Sequence, residues 1–246
     1  FVTLTDHDVI TDLTPLQTRY PDLAFIQGFE YSSRENVVFA GPGVRPLYEL
    51  PLEEALAQAG DLLTMVCHPQ PMGAALEYWT RAKLAALGTW PTGLEIYNGH
   101  YGTAAGRAVG RQPYYADFWD ELLTAGHRLW GFANDDFHDP GDFANAFNMV
   151  LVDDVSPASI IAAARAGQSY ASTGILLEEM KVEGSRIAVR VSQPCAGRFI
   201  GPGGVTLAHD AGTAFEYSAG HEEYVRFEGE SDEGRIFLQP LFREHD

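Results

Sequence analysis

One pattern recurs in the N-terminal part of the chain: an apolar run short enough for a buried strand stops at a residue type that binds metal ions. The run 129–133 leads through Asn134 and Asp135 into Asp136-Phe137-His138. Side chains two positions apart on a strand point the same way, so Asp136 and His138 are expected to converge. Four earlier runs end on similar residues, which are His7, Glu30, His68, and Asn98 followed by His100.

Helix-like segments lie between most of these runs, and the longest predicted helix covers about 74–87. Strands that alternate with helices are typical of α/β folds, in which functional side chains gather at the carboxyl ends of the strands. Oxygen and nitrogen ligands that meet there suit Zn, Mn or Fe. The sequence therefore predicts an α/β metal site built from several strand ends.

Composition narrows the functional classes. The formal charge of −18, from 16 basic and 34 acidic residues, argues against a nucleic-acid surface, which needs clustered Lys and Arg. No apolar run approaches the roughly 18 residues that span a membrane. Two cysteines are too few for a disulfide scaffold, and Cys67 is predicted to be a small core residue. These features favour a cytoplasmic protein with no membrane partner and leave the oligomeric state open.

The pattern changes near residue 175. Short alternating runs follow, separated by Gly and Asp turns, which is typical of an all-β module. We therefore predict two domains, a metal-binding domain over 1–174 and a β-sandwich-like module over 175–246.

The strand-end motifs, taken in order, resemble those of the PHP (polymerase and histidinol phosphatase) family. The segments that carry the resemblance are Thr5-Asp6-His7, Gly28-Phe29-Glu30, Cys67-His68-Pro69, Glu95-Ile96-Tyr97-Asn98 and Asn134-Asp135-Asp136-Phe137-His138. The segment 167–174 also resembles the stretch that follows the barrel in PHP metallophosphoesterases with a C-terminal β module. The resemblance implies a distorted (β/α)7 TIM-like barrel with two or three divalent ions, followed by a small all-β domain.

The resemblance also implies roles for individual residues. The implied metal ligands are His7, Glu30, His68, Asp136 and His138, with Glu30 bridging two ions. Asn98 falls where some family members have a further ligand, and His100 is the alternative. If His100 is not a ligand, it is either a proton donor to the leaving group or a loop residue. Arg34 is either a phosphate-binding residue or a solvated ion-pair partner, and Arg107 and Arg111 are candidate phosphate-binding residues. Asp135 is expected to form a turn or to orient a ligand.

The chain departs from the family at its start. The first PHP motif, His-x-His, is absent, and the chain opens on a strand without Met, so we expect the native protein to be longer, with a first barrel strand that is missing here. The resemblance implies a metal-dependent hydrolase, most simply a phosphoesterase that cleaves a small phosphomonoester or phosphodiester with a metal-bridging hydroxide. The alternatives are a hydrolase of other esters, such as carbamates, and a non-catalytic PHP-like scaffold.

Overall fold

The structure is a computed structural model that describes residues 1–73 and 78–243, and strands dominate these residues. The described strands are β1 Val2–Leu4, β2 Phe25–Tyr31, β3 Val37–Ala40, β4 Leu63–Val66, β5 Gly93–Asn98, β6 Trp130–Asn134, β7 Phe147–Val150, β8 Ser169–Ser172, β9 Leu177–Glu183, β10 Arg186–Gly201, β11 Val205–Ser218, β12 Tyr224–Ser231, β13 Gly234–Leu238 and β14 Leu241–Phe242.

The helices are short. They are α1 Thr14–Arg19, α2 Leu52–Ala57, α3 Arg81–Ala86, α4 Gly99–Gly102, α5 Ala104–Ala108, α6 Ala116–Thr124 and α7 Pro157–Arg165. The helix predicted over 74–87 corresponds to α3 in its second half, whereas 74–77 lie outside the described residues. No described helix has the length and apolar character that crossing a membrane requires.

The first sheet has six strands in the order β1-β2-β3-β4-β5-β6. Strands β1 and β2 are parallel, as are β4 and β5, whereas β3 runs antiparallel to both of its neighbours. All four residues of β3 are buried, which explains why this strand is an uninterrupted apolar run rather than an alternating one. The sheet places the ends of β2 and β4 on either side of β3.

The second sheet has eight strands. Its main order is β11-β10-β12-β13-β8-β7, while β9 pairs with β10 and β14 pairs with β12. Strands β9, β10 and β12 carry the alternating residues that predicted a β module, and buried positions of β10 include Val189, Val191 and Phe199. Phe199 and Phe215 both pack against Phe227 with ring centroids 5.2 and 5.0 Å apart, so aromatic side chains form much of this core.

The predicted distorted (β/α)7 TIM-like barrel is wrong, because the fold is mostly β and consists of two curled sheets. A TIM-like barrel needs parallel strands joined by crossover helices. Here β2 and β3 are antiparallel and joined only by residues 32–36, and α1, α2 and α3 have six residues each. Strands β7 and β8, which fall within the predicted barrel domain, belong to the second sheet.

The chain divides into two compact units. The first comprises 1–95 and 150–168, and the second comprises 96–149 and 169–246. The boundary predicted after residue 174 remains a prediction about domain organisation. Each unit contains its own group of histidines and carboxylates.

Candidate metal centres

The first unit contains a group that we call the Glu30 set, consisting of His7, Glu30 and His68. Glu30 lies in β2, and the chain after β1 continues beside it. The Asp8 N–H donates to the Glu30 carbonyl at 2.9 Å, and the Glu30 N–H donates to the Asp6 carbonyl at 3.0 Å. These two bonds place exposed His7 opposite Glu30, with His7 Nδ1 4.0 Å from Glu30 Oε2.

His68 approaches the other oxygen of Glu30. It follows β4 and is buried, and its Nε2 lies 3.4 Å from Glu30 Oε1. Its φ of +25° is in the left-handed region that non-glycine residues rarely adopt. The backbone N–H of His68 donates to Glu95 Oε2 at 2.7 Å, so a buried carboxylate of β5 holds the backbone in this conformation. Such constrained residues cluster at functional sites.

Glu30 is buried and ionised. The Asn36 side-chain amide donates to Glu30 Oε1, and Tyr78 Oη donates to Asn36 Oδ1. The Asn36 backbone N–H donates back to Tyr78 Oη at 3.0 Å, which fixes the orientation of the amide. Burial raises the pKa of Glu30, but hydrogen bonds from His68 and Asn36 and the charges of both imidazoles outweigh it, and the pKa lies below its usual value.

The second unit contains a group that we call the Asp142 set, consisting of His100, His138 and Asp142. One ligand atom from each residue lies within 4.8 Å of the other two. Among the residues that the structure describes, this is the one group of three His, Cys, Asp or Glu side chains with that convergence. His138 is exposed, His100 is half-buried and Asp142 is buried.

Backbone hydrogen bonds hold Asp142 in place. It ends a 3₁₀ helix, Pro140–Asp142, that begins with a capping box formed with Asp139. Asp142 Oδ2 accepts the backbone N–H groups of His138 and Asp139, each at 2.9 Å, and Oδ1 lies 3.0 Å from His100 Nδ1. Burial raises the pKa of Asp142, but these backbone bonds and His100 lower it below its usual value.

The two imidazoles of this set are neighbours, with ring centroids 4.8 Å apart and ring planes inclined by 36°. His138 Nδ1 is 2.7 Å from the Asp136 carbonyl oxygen, which can only accept, so Nδ1 donates this hydrogen bond and Nε2 is the ring nitrogen outside it. The backbone N–H of His100 donates to the Asp135 carbonyl at 2.8 Å, which positions the residue. Glycine at position 99 suits this close approach, because a Cβ there would lie 3.1 Å from the Asp135 Cα, closer than most Cβ contacts.

Asp136 and Asn98 contact each other beside the Asp142 set. Asn98 Nδ2 donates to Asp136 Oδ2 at 3.1 Å, while Asn98 Oδ1 accepts the Tyr101 N–H at 2.9 Å and caps α4. Asp136 Oδ1 is 3.7 Å from His138 Nδ1, and its φ of +49° is left-handed. Asp135 accepts the N–H groups of Ala144 and Ala146 and thereby shapes the loop after His138.

The arginines differ in their partners. Arg34 pairs with Glu35 at 3.1 Å and with Glu53 at 2.8 Å. Arg111 stacks on the Tyr101 ring, with its Cζ 4.7 Å from the ring centroid. That ring lies 5.8 Å from the His100 ring. Arg107 is exposed.

The predicted site residues thus fall into two groups. His7, Glu30 and His68 meet in the first unit, whereas His100, His138, Asp136 and Asn98 are neighbours in the second. The sequence interpretation missed Asp142, although Asp139-Pro140-Gly141-Asp142, a turn motif directly after His138, was a signal. It also missed Asn36 and Tyr78, for which no local motif exists.

Comparison with models of known protein families and with curated proteins finds no match to the chain.

Proposed function

We propose that this chain is a metal-dependent hydrolase that cleaves phosphoester bonds in a small molecule, with the Glu30 set as its reaction centre. The observation that carries the proposal is the buried, ionised Glu30 carboxylate, whose two oxygens each lie within 4.0 Å of an imidazole nitrogen. A buried carboxylate is costly unless a cation or hydrogen-bond donors compensate its charge.

The donor set fits a divalent transition metal. Two imidazoles and a carboxylate are ligands that Zn²⁺, Mn²⁺ and Fe²⁺ accept, and Glu30, His7 and His68 would hold the ion. A divalent ion bound there supplies a hydroxide near neutral pH and polarises a phosphoryl oxygen. Three protein ligands leave a coordination position for water, and exposed His7 gives the set a side that solvent reaches.

The residues around the set keep it preorganised. Asn36 and Tyr78 hold Glu30 Oε1, so that Oε2 remains on the side of His7. Burial raises the pKa of Tyr78 to about 12, so this hydroxyl stays a donor at neutral pH. Glu95 holds the backbone of His68. Partners of this kind orient metal ligands, and their loss typically costs about 10–100-fold in metal affinity or activity.

The choice of a phosphoester depends on the motifs. Thr5-Asp6-His7, Gly28-Phe29-Glu30 and Cys67-His68-Pro69 resemble PHP phosphoesterase motifs, although the chain does not have that family's barrel. Substrates of the proposed class are small phosphomonoesters and phosphodiesters. A carbamate-type ester is the second substrate class to assay, because the resemblance extends to enzymes that cleave such bonds.

The test is Glu30→Gln, which keeps the shape of the side chain and removes its charge. Metal content after dialysis and hydrolysis of aryl phosphate, diaryl phosphate and aryl carbamate should be measured with Mn²⁺ and Zn²⁺. We expect turnover to fall by at least about 100-fold, because substitution of a residue that only supports a metal ligand already lowers metal affinity or activity by up to about 100-fold. The matched control is Glu49→Gln, an exposed carboxylate of the same unit.

Two results would contradict the proposal. Equal turnover in Glu30→Gln and the wild type would remove Glu30 from the reaction. A wild-type protein that binds metal and hydrolyses none of the three substrates would instead favour the non-catalytic scaffold.

A further inference from the structure

We infer that His100, His138 and Asp142 form a second metal site, which binds one transition-metal dication without any residue of the Glu30 set. The inference depends on the geometry of the second unit alone and does not require hydrolase activity.

The spacing of the three side chains suits a shared ion. Metal–ligand bonds of about 2.0–2.2 Å place adjacent ligands of one ion about 3.0–3.5 Å apart. Asp142 Oδ1 and His100 Nδ1 are 3.0 Å apart, and the third ligand atom lies within 4.8 Å of both. A movement of the exposed His138 ring toward His100 and Asp142 would complete the site.

Two of the ligands already have the outer partners that metal sites use. His138 donates its Nδ1–H to the Asp136 carbonyl, which leaves Nε2 as the ligand atom. Asp142 commits Oδ2 to the backbone N–H groups of His138 and Asp139, and this leaves Oδ1 directed at His100. Ligating imidazoles in proteins typically donate their other N–H to a carbonyl or carboxylate in this way.

The donor set selects the class of metal. Imidazole nitrogens suit Zn²⁺, Mn²⁺, Fe²⁺ and Co²⁺, whereas Ca²⁺ and Mg²⁺ prefer oxygen ligands. Two imidazoles and one carboxylate leave at least one coordination position for water or a substrate atom. His138 and His100 are 52% and 32% exposed at their side chains, so an ion there would be open to solvent.

The alternative is a structural Asp142–His100 hydrogen bond that holds the loop and binds no metal. The experiment uses the full chain with Glu30→Gln, stripped of metal with a chelator and titrated with Zn²⁺ by calorimetry and with Co²⁺ by visible absorption. We expect one equivalent to bind, with visible Co²⁺ bands stronger than those of the aqueous ion, as protein ligation in a four- or five-coordinate site produces.

Adding His138→Ala to the Glu30→Gln protein removes an exposed imidazole and should weaken Zn²⁺ binding by at least about 100-fold. The matched control adds His209→Ala instead, an exposed histidine of the same unit, and should leave binding unchanged. Equal affinity in the His138→Ala and His209→Ala proteins would overturn the inference, as would a Glu30→Gln protein that binds no metal.

The two proposals fail separately. A wild-type protein without turnover, together with one bound equivalent in Glu30→Gln, would refute the hydrolase and keep the second site. Turnover that is lost in Glu30→Gln, together with metal binding in Glu30→Gln that His138→Ala leaves unchanged, would support the hydrolase and refute the second site.

Discussion

The Glu30 set and the Asp142 set contain the same groups, two imidazoles and one buried carboxylate, but the protein holds the two carboxylates differently. Side chains support Glu30: His68, Asn36 and, through Asn36, Tyr78. Backbone N–H groups of the adjacent turn support Asp142. The same donor groups are thus held in one set by contacts between distant side chains and in the other by a local turn.

The difference determines which changes each set tolerates. The Glu30 set depends on residues far apart in the sequence, so substitutions well outside its motifs should weaken it. The Asp142 set depends on 138–142, together with His100, whose backbone N–H donates to the Asp135 carbonyl. Its carboxylate should therefore respond mainly to changes within the turn.

The largest effect is expected for Asp142→Ala, which removes a ligand and the acceptor of two backbone N–H groups. Zn²⁺ binding in the Glu30→Gln background should weaken by at least about 100-fold. The free energy of unfolding should fall by about 1–3 kcal/mol, because the His138 and Asp139 N–H groups lose their acceptor. Calorimetry and urea unfolding measure the two effects. Unchanged unfolding with lost metal binding would show that the turn does not depend on this carboxylate.

Asn36→Leu should affect only the Glu30 set. The substitution leaves Glu30 Oε1 without its amide donor and should lower metal affinity there by about 10–100-fold. The Asp142 set should keep its affinity, which competition titrations of the same protein with a chelator can resolve. Equal weakening of both classes of sites would contradict the division into two sets.

Much of the first set could be predicted locally. The apolar run that leads to Glu30 forms β2, and the apolar run before His68 contains β4, which ends two residues before His68. Burial and strand ends of this kind depend mainly on neighbouring residues. Strand pairing is not local. The antiparallel β2–β3 pair and the assignment of β7 and β8 to the second sheet depend on distant partners, so the barrel prediction failed.

The missed residues have the same explanation. Asn36 and Tyr78 are 42 positions apart, and only the fold brings the hydroxyl to the amide. Asp142 is local, but its importance depends on the 3₁₀ turn that directs Oδ1 toward His100. A periodicity argument cannot provide that direction.

Tyr78→Phe should act more weakly than Asn36→Leu. It removes the hydroxyl that orients the Asn36 amide but leaves the donor to Glu30 in place. We expect metal affinity of the Glu30 set to fall by about tenfold, at the lower limit for outer residues of a metal site. A Tyr101→Phe variant of the second unit serves as the control. A larger loss than in Asn36→Leu would show that Tyr78 contributes by another route.

The smallest effect concerns acid stability of the metal-free protein. The folded pKa of Glu30 is lowered from 4.5, so its contribution is fully present above pH 4.5 and is lost as the pH falls through the folded pKa. Glu30→Gln should therefore flatten the decline of the melting temperature below pH 4.5, whereas Glu49→Gln should not. An unchanged acid decline in Glu30→Gln would contradict the ionised, paired state of this carboxylate.

The most direct measurement of the central claim is anomalous diffraction at the zinc edge from crystals of the full chain soaked with Zn²⁺. We predict separate peaks, one about 2.0–2.2 Å from ligand atoms of Glu30 and His68, and another at the same distance from ligand atoms of His138 and Asp142. A single peak ligated by residues of both sets, or no peak at either set, would contradict that claim.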